Sequence, residues 1–184
     1  MEKLIGRSAE SQLLKDALVS NEAELIAVYG RHRIGKTFLI RQVYDQHIVF
    51  EMTGLQQASM AKQLQIFSTD LGNAMGVKLP LALPKDWIAA FESLKQYLSP
   101  LLKDPKRKRV IFFDEFPWIH TQRSGFLQAF DHFWNSWCTK HDNLVVVICG
   151  SAASWMIRHI INNKGGLHNA LHLLLFPLTK LKPI

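Results

Sequence analysis

A glycine-rich loop between an apolar run and an amphipathic segment constrains the fold of this chain more than any other feature of its sequence. The loop reads GRHRIGKT over residues 30–37, which matches the phosphate-loop pattern G-x-x-x-x-G-K-[ST]. Residues 25–29 before it predict a short buried strand, and the apolar positions within 38–43 predict one face of a helix. Because the pattern requires a strand before the loop and a helix after it, the sequence predicts a site for a nucleoside triphosphate.

The residue types of the loop suit phosphate binding. Gly30 and Gly35 allow the backbone to approach phosphate closely, and the start of a helix offers N–H donors and the positive end of the helix dipole. Lys36 is predicted to reach the β- and γ-phosphates, and the Thr37 hydroxyl is predicted to ligate Mg²⁺. The other predicted nucleotide-binding positions of this segment are Arg31, His32, Arg33, Ile34 and Phe38. The side chains of the two arginines are interpreted as solvated.

A second apolar run ends in two adjacent carboxylates. Residues 110–113 read VIFF and lead into Asp114 and Glu115, as a Walker B element does. Asp114 is predicted to hold the Mg²⁺ shell opposite Thr37, and Glu115 is predicted to orient and deprotonate the attacking water. An acidic strand end is a weak signal alone, but downstream of a phosphate loop it becomes strong.

A third apolar run, residues 144–149, is followed by Gly150 and Ser151. A small hydroxyl at the tip of a strand beside the Walker B strand suits a sensor of the γ-phosphate or of the attacking water. The same serine also suits the N-cap of a helix beginning near Ala152. Both interpretations of Ser151 stay open at this stage.

Several ordered segments resemble the archaeal-type ATPase family of prokaryotes, a branch of the AAA+ and related P-loop ATPases. The segments are residues 28–37, 112–118, 123–126, 150–156 and 162–169. The opening Ile5-Gly6-Arg7 also resembles the start of such domains near the adenine pocket, which implies that Gly6 and Arg7 contact the nucleotide. Adenine is further favoured because the chain has no Asn-Lys-x-Asp motif for reading guanine.

Alternating strand and helix patterns predict an α/β fold with a parallel sheet, whose ligands bind at the carboxyl ends of the strands. Apolar residues at helical spacing predict two helices before the Walker B strand, and a stripe of aromatic residues predicts a third after it, interpreted as core rather than as a base-stacking platform. The stripe comprises Phe126, Phe130, Phe133, Trp134 and Trp137. Further strands are predicted at residues 48–53 and 171–175. The resemblance implies a P-loop NTPase of three α/β/α layers with a mainly parallel five-stranded sheet of order 5-1-4-3-2.

The resemblance also has departures. Family members usually carry Arg after the residue corresponding to Asn169, where this chain has Ala170, so a role for that arginine is in doubt. Similar proteins continue into a helical lid or winged-helix region and often a further domain. Residues 1–184 are therefore expected to form a single ATPase core that lacks a lid and any effector domain.

Composition agrees with one domain. The chain has 184 residues, of which 48% are hydrophobic, enough to bury a sizeable core. It has neither an apolar run that could span a bilayer nor a signal pattern, which predicts a cytoplasmic protein without a membrane partner. Cys138 and Cys149 are predicted to be buried thiols, and the histidines show no zinc-binding spacing.

Charge gives weaker indications of partners. The net charge of +7 is compatible with nucleic acid binding, although ATP-site cations or a missing acidic domain would give the same balance. The basic run at residues 103–109 is interpreted as a solvated loop in preference to a phosphate-backbone contact. Arg123 and Arg158 are candidate fingers for the site of a neighbouring subunit, or surface ion-pair partners, and Lys164-Gly165-Gly166 is a loop near the γ-phosphate or a plain turn.

Together these features predict an ATPase core that uses ATP and Mg²⁺, hydrolyses the β–γ bond and changes conformation as it does so, alone or as a homo-oligomer. The alternative is a nucleotide-binding switch with little or no hydrolysis, acting with nucleic acid or another effector. A phosphotransferase would need an acceptor pocket and a lid, neither of which the sequence indicates.

Overall fold

The computed structural model describes residues 7–77, 81–161 and 171–175, in which helices and strands alternate. The strands are β1 (Glu24–Tyr29), β2 (Ile48–Thr53), β3 (Arg109–Asp114), β4 (Leu144–Gly150) and β5 (Leu171–Leu175). The helices are α1 (Ser8–Val19), α2 (Lys36–Tyr44), α3 (Met60–Ala74), α4 (Trp87–Leu101), α5 (Phe116–Ile119), α6 (Phe126–Ser136) and α7 (Ala153–Met156). A 3₁₀ turn at Cys138–Lys140 follows α6, and a π-helical turn at Ile157–Ile161 follows α7.

The strands form one parallel sheet in the order β2-β3-β4-β1-β5, which is the predicted 5-1-4-3-2 order counted from the other edge. Strand β4 therefore lies between β1 and β3. Since all strands run in the same direction, the loops that leave the carboxyl ends of β1, β3 and β4 meet at the same end of the sheet, which we call its carboxyl edge. These loops contain the phosphate loop, the Asp114-Glu115 pair and Ser151.

Helices cover both faces of the sheet, which confirms the predicted three layers. Along β1, Leu25 and Ala27 point into a core shared with α3, α4 and α6, whereas Ile26 and Val28 point into a core shared with α1 and α2. The alternation follows from the two-residue period of a strand. Because both faces are covered, the central strands are apolar at nearly every position, as parallel strands usually are.

The aromatic stripe of α6 lies in the core, as predicted. Phe126, Phe130, Phe133 and Trp134 are buried, and the ring of Phe133 stacks on Phe91 of α4 with centroids 4.8 Å apart. Trp137 follows the last residue of α6 and stacks on Phe133 from the outside. Rings with this much contact inside the protein are not free to stack on nucleic acid bases.

The basic run at residues 103–109 leads into the amino end of β3. It therefore lies at the amino end of the sheet, whereas the phosphate loop lies at the carboxyl end. Lys103, Lys106 and Arg107 are exposed, in agreement with a solvated loop. Lys108 is buried, and its ammonium donates to the backbone carbonyls of Glu22 and Asp142 at 2.8 and 2.6 Å. Its burial lowers the pKa of Lys108. This lysine therefore anchors the loop to its neighbours.

Both cysteines are buried free thiols, as predicted. Cys138 follows α6 in one core and Cys149 lies on β4 in the other. Burial raises the pKa of each thiol well above its ordinary value, so neither is an activated nucleophile.

Candidate active site

The phosphate loop ends where α2 begins. Gly35 is the residue before the helix and has a left-handed backbone with φ of 83°. A Cβ built on Gly35 would meet no atom within 4 Å, so the requirement for glycine here is conformational rather than steric. The first N–H groups of α2 have no partner within the helix and carry the positive end of its dipole. These are the donors that the predicted phosphate site would use.

Lys36 lies inside this loop. It is only 6% exposed, and its ammonium donates to the carbonyl oxygens of Gly30 at 3.0 Å and Arg31 at 2.7 Å. These two bonds satisfy a cation that would be costly to bury unpaired. A phosphate group entering the loop would replace the carbonyl dipoles with a full negative charge, which a buried ammonium favours more strongly.

Thr37 and Asp114 come together although they lie 77 residues apart in the chain. The Thr37 hydroxyl donates to Oδ2 of Asp114 at 2.9 Å, and the other carboxylate oxygen accepts the Glu115 N–H at 2.9 Å. Hydroxyl and carboxylate oxygens are ligands that Mg²⁺ prefers, and this ion commonly uses one or two protein ligands together with phosphates and water. The pair therefore fits the ion predicted from the sequence.

Glu115 occupies a sharp turn between β3 and α5. Its backbone is left-handed with φ and ψ both 45°, which costs about 1 kcal/mol or more for a residue with a Cβ. Its Oε2 accepts the Ser151 hydroxyl at 2.8 Å and the Ser151 N–H at 3.4 Å. The structure thus brings the predicted base and the predicted sensor into direct contact.

The interpretation of Ser151 as a helix N-cap is wrong. The residue that caps α7 is Ala152, and no side chain makes a capping bond there. The Ser151 hydroxyl is directed to the Glu115 carboxylate instead. Charge-assisted hydrogen bonds of this kind are about twice as strong as neutral ones.

The remaining loop residues surround this centre at the surface. Arg31, His32 and Arg33 are exposed, Ile34 is partly buried, and Phe38 on α2 is 48% exposed.

Arg7 pairs with Glu10 at 3.0 Å and donates to the Ile34 carbonyl of the phosphate loop at 3.5 Å. The predicted contact residue Gly6 lies outside the described residues, as do Lys164-Gly165-Gly166 and Ala170. Arg123 and Arg158 are exposed, and their role as fingers stays a prediction.

Two glycines that sequence reasoning did not assign to the site make room for the Glu115 turn. Gly54 follows β2, donates its N–H to the Asp114 carbonyl at 2.9 Å, and would place a Cβ 2.6 Å from the Glu115 carbonyl oxygen. Gly150 ends β4 and would place a Cβ 2.7 Å from Cδ of Pro117. Glycine after a strand at the carboxyl edge of a sheet is the signal that could have identified both positions.

Replacing Gly54 with alanine is expected to lower the free energy of unfolding by about 1–3 kcal/mol, because the backbone oxygen it meets cannot move without shifting the Glu115 turn. Thermal unfolding should show a fall in Tm of about 2–4 °C for each kcal/mol lost. Gly72→Ala on α3 is the matched control, since its added Cβ would meet Leu81 at an ordinary 3.6 Å. Equal Tm values for the two variants would refute the close approach at Gly54.

Gln63 also escaped sequence reasoning. It lies on α3 with no exposed surface, and its side-chain nitrogen donates to the carbonyls of Leu55 at 2.7 Å and Trp118 at 2.8 Å. Its side-chain oxygen accepts the Leu55 N–H at 3.2 Å. One amide thus ties α3 to the loop after β2 and to α5. The available signal was a polar residue within the apolar face of α3, four positions before Phe67.

A known family of ATPase domains matches nearly the whole chain. The family described as an ATPase domain predominantly from Archaea matches residues 4–181 of this chain. An uncharacterized protein of Methanocaldococcus jannaschii is 24% identical over 165 residues, which cover 89% of this chain and 33% of that protein.

Two solved structures have a similar fold. The Walker-type ATPase PABY2304 of Pyrococcus abyssi has a TM-score of 0.61 at 16% identity, covering 94% of this chain and 54% of that one. Cdc6p from Pyrobaculum aerophilum has a TM-score of 0.63 at 13% identity, covering 95% of this chain and 46% of that one. The chain therefore spans about half the length of these structures and a third of the curated relative. In the part of the chain that the structure describes, no helix is long and apolar enough to cross a membrane.

Proposed function

The chain belongs to the family of ATPase domains found predominantly in Archaea, and from this premise we propose that it hydrolyses the β–γ bond of ATP in a Mg²⁺-dependent reaction. The observation that carries the proposal is the hydrogen bond between Thr37 of the phosphate loop and Asp114 at the end of β3, 2.9 Å long. This bond connects the loop suited to bind phosphate with the strand end that carries the carboxylates of Asp114 and Glu115. These carboxylates are suited to bind Mg²⁺ and to activate water. The proposed site thus lies at the carboxyl edge of the sheet.

Binding is assigned to the phosphate loop. The free N–H groups at the start of α2 and the buried Lys36 ammonium would contact the phosphate oxygens, with Gly35 giving the loop its turn. Thr37 and Asp114 would hold Mg²⁺ through their oxygens. When bound, the ion neutralises negative charge on the phosphates and thereby favours the departure of ADP.

The chemical step is assigned to Glu115. Its carboxylate would accept a proton from water as the water oxygen bonds to the γ-phosphorus, and the bond between that phosphorus and the β–γ bridging oxygen would break, releasing ADP. Ser151 holds Oε2 of the carboxylate at 2.8 Å and limits the directions in which it can face. Ser151 would also sense the γ-phosphate through this shared hydroxyl, since a phosphate oxygen would compete for it.

A second candidate function is a nucleotide-dependent switch that binds ATP and hydrolyses it little. The bond between Ser151 and Glu115 favours this candidate, because a carboxylate oxygen that already accepts a proton donor is a weaker base. In either function, ATP binding would change the conformation of the loops at the sheet edge. The relatives are longer than this chain, and an effector domain, a nucleic acid or a second copy of the chain would respond to that change.

One experiment separates the two functions. ATP is titrated into the protein in a calorimeter with and without Mg²⁺, and phosphate release is then followed in the same samples. Binding with phosphate release that depends on Mg²⁺ supports the hydrolase. Binding without release supports the switch, and the absence of binding would refute both.

A further inference from the structure

The Glu115 carboxylate has one oxygen that Ser151 does not hold. Oε2 accepts from Ser151, whereas Oε1 faces His32, whose Nδ1 lies 3.9 Å away. This separation is within ion-pair range but too long for a hydrogen bond. A small shift of the imidazole toward Oε1 would therefore create a second bond to the carboxylate.

His32 is kept in this place by an aromatic contact. Its side chain is 61% exposed, so burial alone does not fix its position. Its ring packs on the indole of Trp118, with ring centroids 5.8 Å apart and planes tilted by 32°. Aromatic pairs at this spacing attract each other, and the contact favours the position in which Nδ1 lies 3.9 Å from Oε1.

Trp118 is itself fixed to the proposed base and to the body of the protein. Its backbone N–H donates to the backbone carbonyl of Glu115 at 2.8 Å, and its backbone carbonyl accepts from the buried side-chain amide of Gln63 at 2.8 Å. These bonds fix the backbone of Trp118, from which the half-buried indole extends toward His32. His32, by contrast, belongs to the phosphate loop, the segment that would contact the phosphates.

We propose that His32 is a positioning residue that links phosphate in the loop to the orientation of the Glu115 carboxylate. When phosphate draws the loop inward, the imidazole slides along the Trp118 indole and bonds to Oε1. Ser151 and His32 then hold one carboxylate oxygen each. Each donor makes the carboxylate a weaker base, but together they fix the direction of the lone pair that accepts the water proton, and in this inference the gain in orientation is the larger effect. This inference rests on the proposed role of Glu115 as the base. His32 acts only through Glu115 and contacts neither the attacking water nor the γ-phosphorus.

The test compares His32→Ala with His32→Asn, whose amide nitrogen can take the place of Nδ1. His32→Ala is expected to lower kcat about tenfold, because a misplacement of about 1 Å can cost up to about 100-fold, while the ATP dissociation constant stays within about twofold. His32→Asn is expected to recover part of the lost rate, because its amide can donate to Oε1 but cannot pack on the indole as the imidazole does. His132→Ala, which removes an exposed histidine from α6, is the control for changes unrelated to the site.

Indole fluorescence provides a readout that does not depend on hydrolysis. The change in emission on adding ATP is expected to be reduced in His32→Ala and in Trp118→Phe, and to be unaffected in His132→Ala. A change in emission that is the same in all three variants as in the original protein would overturn the proposed link.

The kinetic outcomes are also distinguishable. If the original protein releases no phosphate, the proposed function itself fails; if Glu115→Gln releases phosphate at the original rate, the role of Glu115 on which this inference rests fails. If Glu115→Gln is inactive but His32→Ala keeps the original kcat, only the role of His32 fails. Parallel losses of ATP affinity and rate in His32→Ala would also overturn this role, because His32 would then be an ordinary binding residue. Equal rates for the alanine and asparagine variants would overturn it too, because His32 would then make no directed hydrogen bond to Oε1.

Discussion

Replacing Lys36 with alanine is expected to weaken ATP binding by about 100-fold or more, since removing a charge-assisted contact in a buried site costs about 3 kcal/mol. The ammonium is 6% exposed and sits against the carbonyls of Gly30 and Arg31, at the place where phosphate would enter. Its loss removes both the positive charge and the two hydrogen bonds to the loop carbonyls. Calorimetric titration of ATP in the presence of Mg²⁺ measures the effect.

The control for this variant is Lys108→Ala. Lys108 is the same kind of residue, a buried lysine that donates to two backbone carbonyls, but it enters β3 at the opposite edge of the sheet. Both variants lose two hydrogen bonds to backbone carbonyls, so the Tm of each should fall by a similar amount. Only Lys36→Ala should lose ATP affinity. Unchanged affinity in Lys36→Ala, in a protein that remains folded, would show that the loop is not the phosphate site.

Sequence patterns identified those parts of the site that depend on contiguous residues. The loop from Gly30 to Thr37 could be predicted because its pattern, the strand before it and the helix after it are all local. The apolar runs likewise predicted β3 and β4, since strands buried on both faces are apolar throughout. The strand order came from the resemblance, and it places Asp114 beside Thr37.

The parts of the site that escaped prediction depend on contacts between distant elements. Gly54 is required because the turn at Glu115 passes 2.6 Å from where its Cβ would be, and the sequence of neither segment reveals that approach. Gln63 reaches Leu55 and Trp118 across two loops whose paths only the folded chain defines. The same reason explains why Ser151 could be assigned equally to a cap or to a sensor before its bond to Glu115 was seen.

Replacing Glu115 with glutamine is expected to preserve ATP binding within about twofold and to slow phosphate release by about 10²–10⁴-fold, the usual contribution of a general base. The amide is nearly the same size, and its oxygen can still accept the Ser151 hydroxyl that Oε2 accepts at 2.8 Å. It cannot take a proton from water. Binding is measured by calorimetry and hydrolysis by phosphate release at saturating ATP and Mg²⁺.

The matched change outside the site is Glu92→Gln on α4, whose side chain is 58% exposed and pairs only with Lys95 one turn away among the described residues. It should leave both binding and release unaltered. Normal phosphate release by Glu115→Gln would mean that another group activates the water. A loss of ATP binding together with release would mean that Glu115 matters for the left-handed turn that joins β3 to α5, not for its chemistry. Binding that persists while release falls assigns the chemical step to this carboxylate, because the amide keeps the size of the side chain but can neither accept the proton nor carry the negative charge.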